Sequence, residues 1–165
     1  MEEVMDRNVE EATLSLAVQN LYNDYAFCVD NTKFEKWPDF FADECVYRIV
    51  SRENFDAGSR MSTLYLDSKA MLLDRIYGMN DTIMHVPYHQ RHIIGAPRLH
   101  SIEGDVIRSE ANYLVIRSRT DFFSEVFNTG RYLDVIIKDG DTLKFKERVC
   151  VFDGDLVPNS IIYPL

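Results

Sequence analysis

Glycine and proline are scarce in this 165-residue chain, at 7 and 5, too few for a fibrous or low-complexity polypeptide. Cysteine is scarcer still. Cys28, Cys45 and Cys150 are odd in number, form no C-x-x-C pair and sit in apolar segments, which argues against a disulfide framework and for buried, reduced thiols. Positive charge is also short: 18 Lys and Arg stand against 27 Asp and Glu, a net charge of −9 that phosphate backbones repel. No nucleic-acid partner is expected. No apolar run approaches the roughly 20 residues that span a bilayer. The sequence opens on an acidic stretch, Met1 to Asp6, rather than on a basic region followed by an apolar one. The expectation is a cytoplasmic protein with no membrane partner.

What is present suits one globular domain over residues 1–165, with residues 1–8 as a candidate disordered tail. Hydrophobic residues reach 46%, and a chain of this length buries roughly 70% of its unfolded surface in a single core. Leu14, Val18, Leu21, Tyr25 and Cys28 recur at about 3.5 residues, which predicts an amphipathic helix over 9–29. Phe34, Trp37 and Phe41 continue a helical pattern that Pro38 limits. Asp67 or Ser68 can cap a third helix with stripe Leu72, Ile76 and Met79, stopped by Gly78 and Asn80. One strand, 45–52, interrupts this helical half. After Pro87 the pattern turns to long strands at 89–102, 106–120, 124–138 and 142–153, with Asp139-Gly140 the firmest hairpin signal. Helices first and hairpin-linked strands afterwards predict an α+β domain, its N-terminal helices packed on a curved, mostly antiparallel sheet.

Chemistry-bearing motifs are few. There is no G-x-G-x-x-G, G-x-x-x-x-G-K-[ST] or G-x-S-x-G, and no Cys stands beside a His. His85, His89 and His92 lie close together, but Pro87 breaks any helix between the first two, and on a strand His89 and His92 point to opposite faces. No metal, cofactor or catalytic residue is therefore assigned to the chain. An acid–base pocket in the cone that helices enclose over a sheet is the alternative: an isomerase, dehydratase or ligand-binding cone drawing on Asp30 and His89 among Asp24, Asp30, Tyr47, His89 and His92. The strand arginines, Arg91, Arg98, Arg108, Arg117, Arg119, Arg131 and Arg148, fit cross-strand ion pairs with Glu110, Asp134 and Glu147, or pairs between protomers.

The run Tyr25-Ala26-Phe27-Cys28-Val29-Asp30, then Trp37-Pro38-Asp39-Phe40-Phe41 and Asp43-Glu44-Cys45-Val46-Tyr47-Arg48-Ile49, resembles the N-terminal signature of small (beta) subunits of Rieske-type aromatic-ring-hydroxylating dioxygenases. Glu53-Asn54, Asp67-Ser68-Lys69 with Met71-Leu72 and Asp74-Arg75, Arg91-His92-Ile93-Ile94-Gly95, Gly130-Arg131-Tyr132-Leu133-Asp134 and Glu147-Arg148 continue the likeness in order and spacing. The resemblance implies a nuclear-transport-factor-2-like cone and an α3β3 hexamer. In it a large (alpha) subunit would hold a [2Fe-2S] Rieske cluster and a mononuclear Fe(II), fed with electrons by a reductase or ferredoxin. This chain would be the structural subunit, inactive by itself, in a complex that hydroxylates an aromatic carboxylate such as salicylate, terephthalate or anthranilate. Trp37, Arg91, His92, Arg131, Tyr132 and Asp134, which lie in the matching segments, become the interface candidates. Ala96-Pro97-Arg98-Leu99-His100 departs from the family's polar loop at that place.

Overall fold

The computed structural model describes residues 2–154 and 160–165, with side chains described from residue 9 onward. Helix α1, Glu2–Asp30, buries Val18, Leu21, Tyr22, Tyr25 and Val29 along one side. The expected tail at residues 1–8 falls on Met1 and on side chains outside the described residues. Thr32, at φ 55, turns the chain, and the Lys33 amide closes that turn on the Cys28 carbonyl at 3.0 Å. Phe34–Phe40 follows as a 3-10 helix with Pro38 inside it. Its tighter winding accommodates the missing N–H that would interrupt an α-helix.

Strand β1, Phe41–Ser51, starts earlier than alternation alone indicates. Arg52, expected in that strand, opens a five-residue helix instead, α2, Arg52–Asp56, because Ser51 Oγ accepts from the Asn54 amide and caps it. Strand β2, Leu64–Leu66, is too short to show a period and was not expected. Helix α3, Lys69–Tyr77, is capped by Ser68 as the sequence indicates. Gly78 does not end it cleanly; the chain loosens into a π turn, Gly78–Thr82.

The predicted strand 89–102 is two, β3, His89–Ile94, and β4, Arg98–Glu103. Pro97 interrupts the ladder between them, and both pair with the next strand. That strand, β5, Val106–Ser118, pairs with β6, Glu125–Asp139, which pairs with β7, Thr142–Phe152. Asp139 pairs with Thr142, so the hairpin turns on Gly140-Asp141, one residue later than the expected Asp139-Gly140, and Gly140 supplies its positive φ, +59. The sheet order is β2-β1-β7-β6-β5-β3, with β4 also on β5. Only β1 and β7 run parallel among the described pairings. Irregularities in the ladders of β5, β6 and β7 bend the sheet, so that it curls round α1 and the 3-10 helix without closing. Side chains on its inward face join Tyr22, Tyr25, Phe34 and Trp37 in the main core. Val50, Val149 and Val151 form a small second cluster with Phe55 and Leu133 on the other face.

Candidate functional site

The cone's interior is the first place to look for chemistry. β6 and β7 bring Asp134 and Arg148 opposite each other, and both side chains are fully buried. The guanidinium donates twice, Nε to Oδ1 at 3.1 Å and Nη2 to Oδ2 at 2.8 Å, the fork geometry that suits an arginine and a carboxylate. Four rings wall in the cation: Phe145 at 3.8 Å, Tyr25 and Tyr132 at 4.2 Å and Tyr22 at 4.8 Å from Cζ. Burial works against the charge on Arg148, but the attraction of Asp134 prevails and holds its pKa well above the usual range. Burial pushes the phenols of Tyr22, Tyr25, Tyr47 and Tyr132 upward, so all four stay protonated donors across the physiological range. The ion pair is the expected cross-strand type, but buried rather than solvated.

Residues 161–165 lie inside the cone as well. Ile161, Ile162, Tyr163 and Leu165 are buried, and polar groups of the cone meet the segment step by step. Arg75 Nη2 donates to the carbonyls of Ile161 and Ile162 at 2.8 and 2.9 Å. The Tyr163 amide donates to Tyr88 Oη at 3.3 Å, and Gln90 Nε2 to the Pro164 carbonyl at 3.0 Å. Deepest of all, Tyr25 Oη donates to the Leu165 main-chain oxygen at 2.7 Å and Tyr47 Oη to the same oxygen at 3.3 Å, while the Leu165 amide donates to Tyr47 Oη at 2.9 Å. Sequence reading overlooked this segment. Its signal was present as five apolar residues in a row, Ile161 to Leu165, beyond the last strand.

The expected acid–base pairing does not form. His89 is exposed and Asp24 faces outward. Asp30 is engaged by a different histidine: Oδ2 accepts from the His92 amide at 2.8 Å and Oδ1 from His92 Nδ1 at 2.6 Å. This joint ties the end of α1 to β3, and Arg91 Nη1 adds a hydrogen bond to the Asp30 carbonyl at 3.0 Å. Tyr47 is engaged by Leu165.

The six interface candidates divide by where the strands point them. Trp37, Tyr132 and Asp134 are buried in the core, Trp37 donating to Tyr25 Oη at 3.2 Å. Their side chains hold the cone together and offer a partner no surface. The His92 side chain is buried against Asp30. Arg91 is exposed, and Arg131 stands half-buried on the outward face with Glu110 at 3.4 Å and the Phe55 ring at 5.9 Å.

Among the described residues no three His, Cys, Asp or Glu side chains gather into a group that could hold a metal ion. His85 is bonded to Tyr163 Oη at 2.9 Å and His100 to Glu110 at 2.9 Å. The three cysteines are buried and unbridged. This donor set does not fit an iron–sulfur cluster or a mononuclear iron, and no chemistry is routed through one here. No helix among the described residues is long and apolar enough to cross a membrane.

Helices seated in a curved, open sheet with a plugged interior define the class. Residues 10–149 match the family model of the SnoaL-like domain, and the chain belongs to that family, whose architecture is the nuclear-transport-factor-2-like cone expected from the sequence. Similarity runs further. The chain is 26% identical over 161 residues to the anthranilate 1,2-dioxygenase small subunit of Burkholderia cepacia, covering 98% of this chain and 100% of that one. It is 32% identical over 143 residues to the terephthalate 1,2-dioxygenase terminal oxygenase component subunit beta 1 of a Comamonas species, covering 86% and 92%. A solved structure from Novosphingobium aromaticivorans, provisionally assigned as the beta subunit of an aromatic-ring-hydroxylating dioxygenase, superposes with a TM-score of 0.86 at 31% identity, covering 94% and 99%. Within its family this chain is a small subunit of the aromatic-ring-hydroxylating dioxygenases, a component of an oxidoreductase complex.

Proposed function

We propose that this chain is the structural beta subunit of a Rieske non-haem iron oxygenase that hydroxylates an aromatic carboxylate with O2 and NAD(P)H-derived electrons, as a step in breaking down aromatic compounds. Its partner is a large alpha subunit in an α3β3 hexamer in the cytoplasm. That subunit carries the [2Fe-2S] Rieske cluster and the mononuclear Fe(II) and receives electrons from a reductase or ferredoxin. The observation that carries this reading is the cone's occupied interior, where Leu165 is seated against Tyr25 and Tyr47. The relatives matched along nearly their whole length are named for oxygenases acting on anthranilate and terephthalate, which supports a carboxylated substrate.

Surface for a partner lies on the sheet face turned away from α1. Leu114, Ile116, Leu133, Val135 and Ile137 alternate outward there with Arg91, Arg108 and Arg131. Arg91 and Arg131 are the candidates kept for the contact with the large subunit. Co-expression with a tag on this chain tests the reading. Equimolar recovery of the large subunit, with all iron and visible absorbance belonging to the co-purified complex, is the expected result. Recovery of this chain alone, or turnover of an aromatic substrate by it alone, contradicts the proposal.

A further inference from the structure

Phe122 and Phe123, between β5 and β6, stand 64% and 98% exposed. Val126, just past them on β6, and Met84 and Val86, on the stretch that leads into β3, are exposed as well. The pairing of His89 with Ser118 and of Ile116 with Val126 brings both stretches to one end of the sheet, and Met84, Val86 and Arg119 line one cleft there. Apolar side chains scattered singly over a surface are ordinary, but five gathered at one end of a sheet mark a contact.

The loop that carries the two rings is held in place from within. Ser118 Oγ and Ser124 Oγ meet at 2.7 Å across its neck, the Phe122 amide donates to the Arg119 carbonyl at 3.3 Å, and Asp121 turns the chain at φ 66. Arg119 Nη2 donates to Glu125 at 3.2 Å while its guanidinium lies 4.3 Å from the Phe122 ring. A fixed loop loses little conformational freedom on docking, so its aromatic tip is ready to enter a partner.

Two features point to the partner. Segments 83–93 and 116–126 hold three arginines, Arg91, Arg117 and Arg119, and two carboxylates, Asp121 and Glu125, in a chain whose net charge is −9. Two copies meeting through this end would bring like charge to like, whereas a different, acidic surface is matched. Arg91, Ile116 and Val126 also form one row across β3, β5 and β6 on the outward face, so the patch runs on into the surface proposed for the large subunit.

We propose that this end of the sheet, with Phe122 and Phe123 as its anchors, docks into the large subunit at an apolar hollow edged by carboxylates that meet Arg91 and Arg119. The inference rests on the assembly proposed above and adds where the chain is gripped.

Co-expression with the large subunit, with the tag on this chain, compares the native chain with a variant carrying Phe122→Ser and Phe123→Ser. Recovery of the large subunit is expected to fall at least about tenfold, as truncating buried aromatic anchors does. The variant chain by itself should melt no lower than the native one, because the rings face water. Tyr65→Ser, exposed on β2 at the opposite edge of the sheet, should recover as much as the native chain. In the native complex the amides of residues 119–126 should exchange at least about tenfold slower than in the chain alone, and those of residues 64–66 no slower. Equal recovery by the native chain and the double variant overturns this docking and leaves the assembly standing. No recovery by the native chain overturns both. A chain that self-associates by itself, and ceases to when the two rings are removed, gives the patch to a second copy and overturns the proposal as well. Should the double variant not fold, exchange in the native complex decides.

Discussion

Arg148 carries its charge into the driest part of the cone, and Asp134 is what makes that tolerable. Replacing one partner strands the other. Asp134→Asn should therefore cost about 3–5 kcal/mol, the usual penalty for breaking a buried pair, seen as a fall in the urea midpoint. The double replacement Arg148→Met with Asp134→Leu should cost less than Asp134→Asn, because it leaves no orphaned charge; an equal or larger loss contradicts this account of the pair. Burial acts on the thiols as well. It pushes Cys28 up to about 11, Cys150 up to about 12, and Cys45 upward too, so thiolate is scarce at pH 8. A disulfide reagent at that pH should find no fast thiol in the folded chain and three after denaturation. One rapid native equivalent would show a cysteine more open than described.

At the scale of elements, the β6–β7 ladder sets the tightest limit. A Cβ at Gly130 would stand 2.0 Å from the Val151 carbonyl oxygen, so Gly130→Ala should cost at least about 3 kcal/mol. Gly95→Ala, whose Cβ meets only the Asn112 oxygen at 3.6 Å, should stay within about 0.5 kcal/mol; thermal melts of the two variants decide. The β5–β6 connection is pinned differently, by Glu125 accepting from Arg117 at 2.7 Å and Arg119 at 3.2 Å. Arg117's hydrogen bond holds the Glu125 carboxyl below its usual range. Its folded pKa is depressed, so its support is present above about pH 4.5 and lost as pH falls through the lower folded value. Amides of residues 119–124 should begin to exchange faster in that acid window before those of the β7 strand do.

Much of this architecture was legible because periodicity reports burial. The helical stripe of α1 and the alternation of β5 and β6 each arise from one buried face. Where an element is too short for a period, as in β2 and α2, or irregular, as in residues 160–165, the pattern is silent. Period also exposes the error among the interface candidates. Arg131 and Tyr132 are neighbours on one strand, so one faces out and the other in, and the two could not share a role. Tyr132 and Trp37 went to the core because the aromatic types that enrich interfaces also fill cores, and Asp134 is held there by Arg148. Asp30 was singled out as an acid–base candidate with His89, and alternation along β3 could not say that His92 rather than His89 would reach it across 62 positions of sequence.

For the whole molecule, the net charge of −9, the occupied interior and the outward sheet face combining Arg91, Arg108 and Arg131 with leucine, isoleucine and valine fit the proposal that the chain works within an assembly. Its likeness to dioxygenase small subunits along nearly their full length supports a large oxygenase subunit as the proposed partner. The central claim is therefore one of assembly. Sedimentation of the co-expressed pair, with aromatic hydroxylation assayed on the same fractions, tests it most directly. One species with the mass of three large and three small chains, carrying all of the activity, is expected, with loss of activity in step with loss of that species when Arg91 or Arg131 is replaced by Glu. A large subunit that sediments without this chain and hydroxylates at full rate would contradict it.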